Sequence, residues 1–311
     1  MPDPLLYVQA VAASAAVGAL LLLAMVSVRR PASAARSSIA CGLGLAGGVA
    51  VGCYVLRLPV AWPPANALDR LLTLVLPALL TVEAVIGAGR MSPRLAWFLR
   101  LSLAAVVGRI LLHGSVYLSG PNREWSVAHA AAVLAAFVIG LATTWLLLAW
   151  LSRRSPGVSI PLALAICIQA AGVAIMLAGY LGAGAAAAAI AASLIGTTLA
   201  VRRTAGFQNP QAIISLGVVA LFGLAFIGVY FGRLSLASAV TISFAPLLCW
   251  TTELPGLRVR NPWLVGALRL AIVAIPLLVV LGIAMVDFYR HTAPLLGEIH
   301  ASPAGCLVNF G

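Results

Sequence analysis

The chain contains no lysine, only seven acidic residues and four histidines in 311 positions. Charged residues amount to 8% of it, against about a quarter in a soluble domain, so an ordinary water-soluble fold is excluded. The scarcity of acids and histidines leaves little for metal chemistry. There is no HExxH, no histidine-rich box, no GxSxG elbow and no Walker loop, so no catalytic residue and no metal site is assigned, and no cofactor is implied. The five cysteines form no CxxC or Cys/His cluster. Cys41, Cys53, Cys167 and Cys249 lie in or beside apolar stretches, where a thiol behaves as a small hydrophobe, and Cys306 stands alone near the C-terminus.

What is present is apolar. Hydrophobic residues make up 63% of the sequence and the mean hydropathy is +1.10, which places the chain in a bilayer. The net charge of +12 comes from arginines grouped at the ends of apolar runs, the pattern of membrane topology, and nucleic-acid binding is not expected. The first apolar run, from Leu5, lacks a basic leader and ends at Arg29 and Arg30, so it reads as a retained transmembrane helix.

A crossing of roughly 30 Å takes about 20 apolar residues. Ten segments qualify, giving an all-α polytopic bundle: Leu5 to Val28, Ser38 to Leu58, Ala67 to Gly89, Leu95 to Leu118, Val127 to Leu151, Ser159 to Leu181, Ala185 to Val201, Gln211 to Phe231, Ser235 to Thr251 and Trp263 to Val286. The uncharged run from Ile160 to Val201 is 42 residues long and must turn, with Gly182 to Gly184 as the expected place. Gln211 to Thr251 is expected to turn at Gly232 and Arg233. Arginines follow every odd-numbered span: Arg29, Arg30 and Arg36, then Arg90 and Arg94, Arg153 and Arg154, Arg202 and Arg203, Arg258 and Arg260. That parity predicts a bacterial inner-membrane protein with both termini outside the cytoplasm.

The two ends of the chain resemble each other. Gly47, Gly52, Tyr54, Arg57 and Leu58 match Gly223, Gly228, Tyr230, Arg233 and Leu234 at one constant offset. Pro77, Pro93 and Leu99-Arg100-Leu101 match Pro246, Pro262 and Leu268-Arg269-Leu270 at an offset of 169. A parallel duplication is therefore expected, with spans 1–4 (residues 1–119) and 7–10 (184–289) as copies, spans 5–6 (120–183) as a bridge, and an extracytoplasmic tail at 290–311. Chance alignment of Ala-rich segments is the competing explanation.

The repeat sorts the polar residues. Arg57, Arg233, Arg100 and Arg269 fall near span ends and are expected to snorkel to headgroups. Glu83 is placed to form a structural ion pair with Arg100. Arg109 and His113 lack counterparts in the second copy, where Leu278 and Gly282 stand. Their i, i+4 spacing puts them on one face of span 4, with Tyr117 a turn further and His129 on the next span, as a candidate polar site. The alternative is an arginine capped by helix carbonyls inside the bundle. The glycines at 44, 48 and 52 predict a smooth strip for close helix approach.

The leading functional expectation is a secondary transporter or permease for a small polar or anionic solute, because a parallel repeat around a buried polar stripe suits alternating access. The alternative is a non-transporting subunit, in which Arg109 and His113 meet a partner subunit's acid or an anionic lipid. A membrane enzyme acting on lipid comes third.

Overall fold

The computed structural model describes residues 4–27, 34–89, 91–118, 124–155, 157–204, 211–253 and 262–291. The basic residues Arg29, Arg30, Arg90, Arg123, Arg258 and Arg260, and the tail from 292, lie outside them. Every regular element among the described residues is helical: α1 Pro4–Ser27, α2 Ala34–Val55, α3 Ala67–Ala88, α4 Pro93–Leu111, α5 Val127–Arg154, α6 Ser159–Leu177, α7 Leu181–Arg203, α8 Gln211–Tyr230, α9 Leu236–Phe244, which runs on as the 3-10 segment Ala245–Glu253, and α10 Pro262–His291. Eight of these helices are long and apolar enough to cross a membrane. The exceptions are α4, which is 19 residues long with Arg94, Arg100 and Arg109 in it, and α9, which is nine residues long before its geometry tightens.

The helices start where short polar side chains can satisfy first-turn amides. Asn66 and Asp69 make a reciprocal capping box on α3, and Ser92, Ser126 and Ser235 accept from the amides of Leu95, His129 and Ser238 on α4, α5 and α9. Two helices change their winding beside a proline. In α3 a π-helical turn, Leu71–Val75, precedes Pro77, and in α9 the 3-10 segment begins at Ala245, next to Pro246. Proline has no amide to donate and its ring crowds the carbonyl four residues back, so the helix widens in one case and tightens in the other.

The core is α8. Its most apolar stretch is 94% buried, against 22% for α1 and α10, which present their sides to the bilayer. Beside it α7, rich in alanine, packs against α1 and α2 almost backbone to backbone. A Cβ on Gly196 of α7 would stand 2.7 Å from the Ala15 Cα of α1, and one on Gly52 of α2 would stand 2.6 Å from the Ala189 methyl of α7; between α1 and α2, one on Gly44 would stand 2.7 Å from the Gly18 carbonyl oxygen. Hydroxyls fasten this seam: the single Ser14 O–H is shared between the carbonyls of Gly48 and Ala189 (2.7 Å each), and Ser193 donates to that of Leu45 (2.9 Å).

The turn between α6 and α7 differs from the expected one. It falls at Ala178 to Tyr180, where Gly179 takes φ +92° and closes the end of α6, while Gly182 and Gly184 lie within α7. A left-handed residue is needed at the helix end, and Gly179 supplies it. Gly184 serves instead as a contact, packed on Gly172 and Met176 of α6. The expected turn between α8 and α9 lies between Tyr230 and Leu236.

Candidate functional site

The four residues of the expected polar site do not converge. The α-helix of α4 ends at Leu111, so Arg109 lies in its last turn and His113 beyond it, in a chain of turns. Helical i, i+4 spacing therefore does not carry through to His113 and Tyr117, and Arg109 is not far from a helix end. Both Arg109 and His113 are exposed, and neither side chain bonds another described residue. The end of α4 is held by a residue the sequence reading passed over: Arg70, in the first turn of α3, donates through Nη1 to the carbonyls of His113 and Leu111 and through Nη2 to that of Ala65. Tyr117 turns inward and donates to the Tyr230 carbonyl (3.0 Å). It packs with Trp125 (ring centroids 4.7 Å apart) and Tyr230 (5.6 Å), and His129 stacks edgewise on Trp125 (5.2 Å). Tyr117 and His129 thus belong to an aromatic plug, and Arg109 and His113 stand outside it.

Two buried polar clusters occupy the end of the bundle that carries Arg94, Arg153, Arg154, Arg202 and Arg203. In the first, Arg100 of α4 grips Glu83 of α3 through Nε and Nη2 (2.7 Å each). Ser215 of α8 donates to the same carboxylate (2.6 Å) and accepts from the Trp145 indole of α5 (3.1 Å). Glu83 and Arg100 are 3% and 4% exposed, so this pair works in a dry environment where any unmade hydrogen bond is costly. In the second, Arg269 of α10 donates to Thr252 (2.8 Å), Ser159 (3.0 Å), Ser155 (3.0 Å) and Glu253 (2.7 Å). Neither Arg100 nor Arg269 snorkels: each is enclosed by protein because hydroxyls and carboxylates on neighbouring helices satisfy the guanidinium where it lies. Arg57 and Arg233, in contrast, are exposed at helix ends. Aromatic stacks flank the clusters, with Arg154 over Trp150 (4.0 Å) and Arg202 over Trp263 (4.4 Å).

The opposite end combines the aromatic plug with a cavity. A vestibule of about 760 Å³ lies between the end of α6, the α8–α9 turn and the last turns of α10. Arg233, Ser235, Ser238 and Asp287 supply its polar wall, and Phe231 and Phe288 part of its apolar one.

Among the side crevices on the apolar flanks, two have related linings. One, of about 490 Å³, is lined on α2 by Leu45, Ala46, Val49, Ala50, Cys53 and Tyr54. The other, of about 230 Å³, is lined on α8 by Phe222, Ala225, Phe226, Val229 and Tyr230. Each α8 residue stands at the same sequence offset from its α2 counterpart as Gly223 from Gly47. The smaller crevice has Phe222 and Phe226 where the larger has Ala46 and Ala50.

No sequence pattern marks Arg70, the hydroxyl partners of Arg269, or the joint placement of Arg233 and Asp287. The one available signal for Ser215 is that it is the only serine or threonine in α8. Among the described residues no group of three or more His, Cys, Asp or Glu is placed to hold a metal ion. Comparison with protein-family models, with curated proteins and with solved structures finds no match to this chain.

Proposed function

We propose that the chain is a bacterial inner-membrane permease for a small polar or anionic solute. In this reading it crosses the membrane ten times with both termini outside, as two parallel four-helix copies, 1–119 and 184–289, joined by a bridging pair. The arginine-rich end is cytoplasmic on the positive-inside rule, since Arg94, Arg153, Arg154, Arg202 and Arg203 share it. Three parallels support the duplication. Arg100 and Arg269 each direct Nε at a side chain 17 residues earlier, Glu83 and Thr252. The winding of α3 and α9 changes beside the matched prolines Pro77 and Pro246. The side crevices are lined by matched residues of α2 and α8.

The observation that carries the permease reading is the asymmetry of the ends: two buried arginine clusters close the cytoplasmic end, while the outer end opens into the vestibule. That is the form of an outward-open state in alternating access, with the Glu83–Arg100 and Arg269 clusters as the inner seal. The test is thiol labelling in membranes of known orientation, with native cysteines replaced and single cysteines at 235 and 215. An impermeant reagent applied outside labels position 235, position 215 stays protected, and Glu83→Gln makes 215 reactive from the cytoplasmic side. If 235 is unreactive, or Glu83→Gln leaves 215 closed, the permease reading falls.

A second reading, a non-transporting subunit, is favoured by one observation: the exposed Arg109 and His113 at the outer end of α4. On this reading they meet an acidic group of a partner. A photo-crosslinker at 109 that gives one discrete protein adduct in native membranes supports it, and diffuse lipid adducts count against it.

A further inference from the structure

The polar wall of the vestibule has two halves of opposite sign, each assembled from two independent elements. The positive half is Arg233 and the start of α9. The Ser235 hydroxyl accepts the Ser238 amide (3.1 Å), and both serines line the vestibule at the positive end of the α9 dipole. Arg233 is fixed against this site by its own backbone, whose N–H donates to the Ala178 carbonyl (3.3 Å). The negative half is Asp287 of α10 with the C-terminal end of α6, whose residues Leu177 and Ala178 line the same space.

A wall of one sign would suit a simple anion or a simple cation. This one does not, because an anion drawn to Arg233 meets the Asp287 carboxylate in the same vestibule, and a cation drawn to Asp287 meets the guanidinium. A ligand that carries both charges satisfies both halves. Asp287 already takes part in another interaction, but a carboxylate has about four acceptor sites and accommodates an ammonium as well. Ser235 donates to Ser238 (2.8 Å), so the hydroxyls form a linked pair in the same wall. Phe231, Phe288 and Leu177 give apolar surface for a short side chain, and about 760 Å³ is within the usual range of small-molecule sites.

We propose that the vestibule binds a small zwitterion of the amino-acid type, its carboxylate held by Arg233 and the N-terminus of α9 and its ammonium by Asp287. The inference rests on the permease reading for its biological role but not for the binding itself. The probes are L-leucine, glycine betaine, acetate and ethylamine, titrated against the full chain in lipid nanodiscs by calorimetry. At least one of the two zwitterions binds, and each single-charge probe binds more weakly by about a hundredfold or more. Arg233→Gln and Asp287→Asn each weaken the zwitterion by about tenfold or more. A cysteine at 284, which lines the vestibule without taking part in its polar wall, is protected from maleimide by the same zwitterion in a chain without native cysteines, which reads occupancy with the charge pair and the α9 cap unaltered.

If neither zwitterion binds at millimolar concentration, the proposal is overturned. It is equally overturned if acetate binds as well as the zwitterions while Asp287→Asn has no effect, the behaviour of a plain anion site. Uptake into proteoliposomes separates this proposal from the broader one. Binding without uptake removes the permease reading and keeps the site, whereas zwitterion uptake indifferent to both substitutions removes the site and keeps the permease.

Discussion

Arg100 meets Glu83 through two hydrogen bonds of 2.7 Å between side chains that are both at least nineteen-twentieths buried. A pair this dry costs desolvation on both sides, and breaking it strands one charge. Glu83→Ala, which leaves the guanidinium uncompensated, is expected to lower stability by about 3 kcal/mol. The double variant Glu83→Leu/Arg100→Met removes both charges and is expected to recover most of that loss. Unfolding in mixed micelles, followed by thiol exposure at the buried native cysteines, measures both. A double variant less stable than the single one would show that the charges themselves, and not merely their pairing, hold the four helices together.

The difference between the two side crevices makes a second prediction. Ala46 and Ala50 line the larger crevice at positions where Phe222 and Phe226 line the smaller. Ala46→Phe with Ala50→Phe adds ring contacts where there is space, and is expected to stabilise the protein by about 1 kcal/mol. Thermal unfolding checks the sign. A loss of stability would mean that the crevice walls cannot accept rings in this register, which would weaken the structural correspondence of α2 and α8.

Arg70 predicts a local effect at the end of α4. It supplies donors to carbonyls that lack intrahelical partners, at Leu111 and His113. Arg70→Gln shortens the reach and removes the charge, with an expected cost of about 1–2 kcal/mol. Hydrogen exchange should show faster exchange confined to the last turn of α4 and residues 112–118. Acceleration spread evenly over α3 and α4 would contradict a capping role.

Tyr180, between α6 and α7, predicts a pH dependence. Burial, and then the Asp69 carboxylate nearby, push its phenol above the ordinary value. The neutral form is therefore favoured when folded, and the unfolded chain releases the proton first. Stability is fully present below the unfolded phenol pKa of about 10 and falls as pH rises from there through the higher folded value. Tyr180→Phe is expected to flatten the alkaline fall while leaving the neutral range nearly unchanged. An identical alkaline slope in both proteins would show that Tyr180 contributes nothing to it.

Individual residues show how much could be read from the sequence. That Glu83 requires a nearby cation follows from the cost of a lone carboxylate in an apolar run, and Arg100, a turn or two inside the start of the following helix, is the arginine at a comparable depth. The contribution of Ser215 and Trp145 does not follow, because a serine in an apolar stretch has no periodic signature and its partner lies 132 residues away. The stripe drawn through Arg109, His113 and Tyr117 assumed a helix to Leu118. Tertiary contacts end it at Leu111, where Arg70 takes over the carbonyls and Tyr117 is drawn into the aromatic plug.

Composition by itself determined the solvent of this protein. At 63% hydrophobic residues the chain buries its backbone polarity only by forming helices in a bilayer, and prolines, serines and arginines mark where those helices begin, bend and stop. Which polar residues meet was decided only by the tertiary structure. Hydrogen bonds and charge pairs act over a few ångströms across helices far apart in sequence, so Arg233 and Asp287 share a vestibule, and Arg109 and His129 share nothing, for reasons that lie in helix packing alone.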